Sequence, residues 1–479
     1  MDLQNLKGFI DDFSKALKEN NAAIFAGAGL SSGAGFVDWT ELLRSIAEEL
    51  RLKIEREQHD LVSLAQYYCN EHGGRGKLNQ IITDEFQRRA SITENHRILA
   101  RLPITTYWTT NYDTLIETAL REIGKNPDVK INPENLALTL SDRDAVVYKM
   151  HGDVSQVHKA VITRDDYEKY ELTHSLFTTA LQGDLVSKTF LFIGFSFNDP
   201  NLNYILSRIR IRLEGNQRPH YCFLKRIVEA DFDNKEDYDY AKIKQELQIN
   251  DLKRFSINTI LVDEYQEITG ILRMIENSFR KNSIFISGSA EDYGAMSEDT
   301  AKELLHGLSN KLVKRDYRVI SGFGLGVGSY VINGALDCLQ SERKSRIENN
   351  LVLRPFPQKA SGGKSLPELW DFYRRNMIAE AGIAIFFFGN KRVDGKIVNA
   401  EGVRNEFEIA NSMGVNVIPV GVTGFQTRIL WEEVMNDFPK YYPEVQVFKP
   451  LFEILGSTLI PDEIINAIMK IIDEIRRRT

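Results

Sequence analysis

The chain of 479 residues has only three cysteines, Cys69, Cys222 and Cys338, far apart and with no Cys-x-x-Cys pair. That excludes a disulfide framework and a cysteine-based zinc site, and no metal is expected. Positive charge is not in excess either: 60 Lys and Arg against 67 Asp and Glu leave a net charge of −7. So acidic a chain does not grip nucleic acid through a broad basic surface, and no nucleic-acid partner is expected. Long apolar runs are missing. The most hydrophobic stretches, "KTFLFIGF" and "AGIAIFFFG", have the length of core strands and fall well short of a membrane span, so no membrane association is expected. The start, "MDLQNLKGFIDDF", carries acids where an export signal would carry a basic region, which makes the cytoplasm the expected compartment.

What the chain does have is an ordinary globular composition, 43% hydrophobic and 27% charged, at a length that implies two or three domains. From residue 22 to about 280, apolar segments ("AAIFAG", "TTYWTT", "AVVYKM", "KTFLFIG", "YCFLK", "INTILV") alternate with amphipathic ones such as "DWTELLRSIAEEL", where Asp38 and Glu41 have capping-box spacing. Such alternation predicts a parallel α/β sheet covered on both faces. The stretch "VSLAQYYCNEHGGRGKLNQIITDEF", broken at Gly73 and Gly74, reads as a small helical module inserted between strands. At "NSIFISGSA" a second start appears, followed by "YRVISG", "NLVLRPF", "IAIFFFG" and "VNVIPVG" with helices between them. The expected organisation is two doubly wound α/β domains, residues 1–282 and 283–479.

In "IFAGAGLSSGAGF", an apolar strand runs into a glycine-rich turn whose spacing departs from the Gly-x-Gly-x-x-Gly dinucleotide fingerprint. Main-chain N–H groups uncovered by side chains suit a phosphate; simple turn chemistry is the alternative. Three further stations lie at strand ends, where open α/β sheets bind ligands: "TTNYD" (109–113), "HGD" (151–153) and "GFSFNDPN" (194–201). Asn111 and Asp113 also suit a helix N-cap, and Asp199 with Pro200 suits a helix start.

The ordered set resembles the sirtuin (SIR2) NAD-binding fold, and its lack of a four-cysteine zinc module and of a Pro-Asp-Phe-Arg-type sequence resembles the zinc-less SIR2 domains of bacterial defence proteins. The resemblance implies an NAD+ glycohydrolase with NAD+ as substrate and no metal. It implies Ala26, Gly27, Ala28, Gly29, Ser31, Asp113, Gly194 and Ser196 as the NAD+ contacts, and Asn111 and His151 as the catalytic pair. The side chains suit those roles: the Asn111 amide can orient water, Asp113 can hold the nicotinamide amide or the ribose, Ser196 can contact ribose, and His151 can take a proton. An NAD-dependent protein deacylase and a non-catalytic nucleotide-binding scaffold are the competing readings.

In the second half, "VISGFGLGVGSYVINGAL" sets Gly322, Gly324, Gly326 and Gly328 at alternating positions, which would clear one face of backbone for a flat or phosphorylated ligand. With "SGSA" (Gly288, Ser289) and "EGVRNEFEIA" (Gly402, Glu406) it resembles the SLOG nucleotide-binding superfamily. Only those last two residues fit the loop of the enzymatic members, so the resemblance implies binding rather than catalysis. Arg354, Arg374, Arg375 and Lys391, with Arg392, supply cations suited to a diphosphate. SIR2 followed by SLOG resembles the effectors of the Thoeris antiphage system. That implies activation by a cyclic ADP-ribose-type nucleotide made by a TIR-domain partner protein, and a homo-oligomer, a tetramer or larger.

Overall fold

The computed structural model describes residues 3–477 apart from 58–59, 89, 198, 344–346, 361–362 and 364. It divides into two compact units, Met1–Glu276 and Asn277–Thr479. The division falls within the helix Glu267–Arg280, a few residues before the 282/283 boundary expected from sequence.

The first unit carries a seven-stranded, all-parallel sheet. Its strands are β1 (Ala22–Ala26), β2 (Thr106–Thr109), β3 (Pro127–Lys130), β4 (Ala145–Lys149), β5 (Thr189–Ile193), β6 (His220–Lys225) and β7 (Ile257–Val262). Their order is β3-β4-β2-β1-β5-β6-β7. The four strands that end in the four stations, β4, β2, β1 and β5, are therefore neighbours at the centre of the sheet. The order in which the parallel strands are added reverses at β1, the kind of switch point at whose carboxyl ends open α/β sheets bind ligands. β1 and β5 are buried along their whole length, as strands covered on both faces must be.

Two features of this unit differ from the sequence reading. β3 was not foreseen; it starts with Pro127 at the sheet edge, one of the few places a strand tolerates the missing N–H. The helix expected over residues 38–50 breaks at Leu43 into Trp39–Leu42 and Arg44–Glu49, although Asp38 does cap it, accepting from Glu41 N at 2.9 Å. The helices Leu61–Glu71 and Gly76–Phe86, separated by the Gly73–Gly74 break, pack into a core of their own that includes Tyr112 and Ile162. This places the helical module beside the ends of β2 and β4.

The second unit has a five-stranded parallel sheet of β8 (Ser283–Ser289), β9 (Arg318–Ser321), β10 (Leu351–Leu353), β11 (Ile383–Phe388) and, after a hairpin, β14 (Asn416–Pro419). The order is β10-β9-β8-β11-β14, so β8 occupies the switch point. The hairpin is β12 (Asn390–Val393) and β13 (Lys396–Asn399), antiparallel across Asp394 and Gly395. Both turn residues have positive φ, 48° and 79°, the geometry that an Asp-Gly hairpin turn favours.

Candidate functional site

At the end of β1 the chain passes Gly27 into a short helix, Ala28–Ser32. The glycines here bring two loops together. A Cβ on Gly27 would lie 2.4 Å from Gly194 O, and one on Gly29 would lie 2.8 Å from Gly194 Cα. Gly194 itself has φ +64° and leaves no room beside Leu30 N. The N–H groups of Gly27 and Gly29 are already used, donating to Ile193 O at 3.0 Å and Gly194 O at 2.9 Å. The sequence reading expected these glycines to bare the backbone for a phosphate; their observed work is to seat the β1 loop on the β5 loop. Ala28 is half-buried beside them and Ala26 is buried at the strand end.

Asn111, Ser31 and Asp113 form one connected network under this loop. Asn111 Nδ2 donates to Gly27 O and to Ser31 Oγ, each at 3.0 Å, and Ser31 Oγ donates to Asp113 Oδ2 at 2.7 Å. Asp113 Oδ1 accepts from Leu115 N at 3.0 Å, so the helix-capping role weighed from sequence is present alongside the network. All three side chains are buried. With both amide hydrogens of Asn111 committed, its Oδ1 is the atom left to accept from a water or a hydroxyl.

His151 follows β4 and is 1% exposed. Its Nε2 lies 3.2 Å from Asp199 Oδ2, off hydrogen-bond alignment. Tyr167 OH donates to that same carboxylate oxygen at 3.1 Å, and Asp199 Oδ1 caps the helix Pro200–Leu213 by accepting from Leu202 N at 2.8 Å. Burial pushes the Asp199 carboxyl up, but the adjacent His151 and these hydrogen bonds outweigh it and hold the carboxyl below its ordinary range. Thus "GFSFNDPN" reaches His151 through Asp199, which the sequence favours as a helix start with room for a functional role beside it. Ser196 is exposed, and Asn198 of this station lies outside the described residues. Also unforeseen was His96, buried on the helix Glu94–Arg101, whose Nδ1 lies 2.8 Å from Thr93 Oγ1. Burial lowers it to about 4, with the Asp113 charge acting in the opposite sense.

In the second unit the alternating glycines likewise face protein rather than open space. A Cβ on Gly322 would meet the Phe356 ring at 2.9 Å, one on Gly324 would meet Gly288 O and one on Gly326 Ala290 O, while Gly288 is itself closed off by Phe387 O at 2.6 Å. Ser289 Oγ donates to Asn390 O at 3.0 Å, which ties β8 to the hairpin. The loop's exposed points are Phe323, 56% exposed at φ +61°, and Leu325, 63% exposed.

The cations separate. Arg374 is half-buried, its Nε 3.3 Å from Glu406 Oε1 and its guanidinium over the Phe356 ring, beside Gly402. Glu406 is buried and also accepts from Ser287 Oγ at 2.6 Å. Burial raises its carboxyl above the ordinary range even though Ser287 and Arg374 act to lower it. Arg354 instead pairs with Glu380 at 3.3 Å, and Arg375 with Asp371 at 2.8 Å on its own helix, both exposed. Lys391 is exposed on the hairpin. Among the described residues no group of His, Cys, Asp and Glu could hold a metal ion, and no helix is long and apolar enough to cross a membrane. The three cysteines are free.

Family models match the chain in two places: a SIR2-like domain over residues 105–249, and the Sir2- and TIR-associating SLOG family over residues 267–475. The chain is thus a two-domain protein of the SIR2–SLOG class. It is 50% identical to the NAD(+) hydrolase ThsA of Cytobacillus dafuensis, covering 98% of this chain and 96% of that one. It is 51% identical to the NAD(+) hydrolase ThsA of Bacillus cereus, with 97% of each covered, and 46% identical to that of Acinetobacter baumannii, with 98% of each covered. The chain belongs to the ThsA family.

Proposed function

We propose that this chain hydrolyses NAD+ to ADP-ribose and nicotinamide in antiphage defence, and that the reaction runs at the carboxyl ends of β4, β2, β1 and β5. The observation that carries the reading is that the Asn111–Ser31–Asp113 network and His151 lie just past the ends of the adjacent strands β2 and β4, in a chain whose relatives bear the name NAD(+) hydrolase.

In this reaction the C1′–N bond breaks, its electron pair leaves with nicotinamide, and a water oxygen bonds to C1′ while its surplus proton departs. Asn111 Oδ1 would hold the attacking water, since its amide is fixed by Gly27 O and Ser31 Oγ before substrate arrives. Asp113 would anchor the nicotinamide amide or the ribose, with Ala26, Gly27, Ala28, Gly29, Gly194 and Ser196 lining the bound dinucleotide. His151 would take the proton, steadied by Asp199.

The second unit would act as the sensor for a cyclic ADP-ribose-type nucleotide made by a TIR-domain partner, within a homo-oligomer. Arg374, with Glu406 and Ser287 behind it, is the cation best supported for a diphosphate, and exposed Phe323 and Leu325 offer apolar faces to a base. Gly288, Ser289, Gly322, Gly324, Gly326, Gly402, Arg354, Arg375 and Lys391 complete the proposed surface.

Nicotinamide release from NAD+ by the purified full-length chain tests the first part. Asn111→Ala and His151→Ala should each lower it about a hundredfold or more with the thermal transition retained. Release within a few-fold of wild type in Asn111→Ala removes that residue from the mechanism.

A further inference from the structure

Lys149, the last residue of β4, is 0% exposed at its side chain and yet carries a charge. A buried strand position would ordinarily hold an aliphatic residue, because a charge taken out of water needs full compensation. The compensation here comes from two different loops. Lys149 Nζ donates to Tyr112 O at 3.1 Å and to Asp113 O, main-chain carbonyls of the loop that carries Asn111. It also pairs with Asp153, two residues beyond His151 in the next loop, and with Glu117 at 3.3 Å, on the helix that Asp113 caps. Burial works against the ammonium, and the Glu117 and Asp153 carboxylates more than offset it, holding it above the ordinary lysine range. Neutral ties also join the two segments: Val154 N donates to Tyr112 O at 3.0 Å, Met150 N to Thr109 O at 3.0 Å and Tyr112 OH to Val161 O at 2.8 Å, but Lys149 is the charged group set between them.

We infer that Lys149 is a positioning residue for NAD+ cleavage, a buried clamp that sets the Asn111 loop and the His151 loop at a fixed separation. The inference rests on the hydrolase reading above. An ammonium suits the task because its three hydrogens can be shared among two carbonyls and the carboxylates at once, which a neutral side chain cannot do. Displacing either loop by about an ångström would spoil the alignment of water and proton acceptor without emptying the substrate pocket.

The test is steady-state nicotinamide release by the full chain for wild type, Asn111→Ala, Lys149→Met and the double variant Lys149→Met/Asp153→Asn, each checked for a cooperative thermal transition. The expected result is a fall in kcat of at least tenfold in Lys149→Met, with KM for NAD+ within about threefold of wild type. The double variant removes one of the two stranded carboxylates, Asp153, and leaves Glu117, so it should regain part of the lost stability and keep the low kcat, because the two carbonyls still lack their donor. A double variant that folds and turns over at the wild-type rate would overturn the inference, reducing Lys149 to a counter-ion for Asp153. Failure of both variants to fold would also overturn it, making Lys149 a folding element. A wild-type chain that releases no nicotinamide with or without added cyclic ADP-ribose isomers removes the hydrolase reading itself, whereas normal wild-type release with unchanged Lys149→Met kinetics removes only the clamp.

Discussion

After β1 the glycine-rich loop is held down: the N–H groups of Gly27 and Gly29 are spent on the end of β5 and its loop, and the polar side chains beneath it, Ser31, Asn111, Asp113 and His151, are all buried. After β9 the loop is also held by glycine packing, yet it exposes Phe323 and Leu325, and of the cations expected near it Arg354 and Arg375 lie on the surface in pairs with Glu380 and Asp371. Two loops of similar composition therefore end in different states. The first unit has the groups proposed to react fixed before any ligand arrives, which is what catalysis by oriented groups requires. The second has groups that a ligand would have to gather, as in a sensor whose bound and free states differ.

If the first unit is preassembled, single substitutions within it should cost most. After the Asn111 and His151 variants, the next largest loss is expected for Asp199→Asn, about tenfold in kcat, since His151 would lose its carboxylate while the helix keeps an acceptable cap. The same variant should alter acid stability. Asp199 is held below the ordinary carboxylate range, so its stabilising contribution is present above that range and disappears as pH falls through the lowered value. Urea unfolding of wild type and Asp199→Asn at pH 7 and pH 4 reads this: their difference should shrink at the lower pH.

In the second unit the contrast lies between adjacent residues. Arg374→Ala should raise the concentration of cyclic ADP-ribose-type activator needed for half-maximal NAD+ cleavage by about tenfold or more. Arg354→Ala should shift it less, because that side chain is exposed and paired with Glu380. Arg375→Ala should shift it least of the three, because that side chain is exposed and paired with Asp371 on its own helix. Equal effects for Arg374 and Arg375 would erase the distinction between an inward and an outward cation.

The smallest effect expected is on stability near neutrality. His96, lowered to about 4, and His220, lowered to about 3, stay neutral when folded because burial disfavours their charge. The unfolded chain takes up protons at both below about pH 6.5, so stability is full above that pH. It should fall as pH drops toward 4, by about 1.4 kcal/mol per pH unit for each histidine. His174 is lowered by burial as well, so His96→Gln should reduce, without abolishing, the slope of unfolding free energy against pH between 6 and 5.

How much of this was legible in the sequence follows from where each signal lies. The central strands and the four stations could be read because fully buried parallel strands are continuous apolar runs and strand ends carry local punctuation. β3 could not, since Pro127 and Asp128 disguise an edge strand. The β12–β13 hairpin left a legible signal, Asp394-Gly395, that passed unnoticed among loop residues. Lys149, His96 and the Asp199–His151 pair were hidden for another reason. Lys149 and the Asp199–His151 pair owe their roles to partners far along the chain, as when Lys149 meets carbonyls 36 and 37 residues away, and His96 owes its shift to burial that only the folded chain supplies. The sequence could say that one of Arg374 and Arg375 faces inward, because successive helical residues point about 100° apart. Only the contact with Glu406 says which.

The most direct test of the two-unit account is nicotinamide release from NAD+ by the full-length chain, titrated with cyclic ADP-ribose isomers, with Asn111→Ala and Arg374→Ala in parallel. The account predicts low release without nucleotide and a saturable rise with one isomer. It also predicts no rise in Asn111→Ala, and in Arg374→Ala a rise only at much higher nucleotide concentration. Full-rate release in the absence of any nucleotide, unchanged in Arg374→Ala, would contradict it.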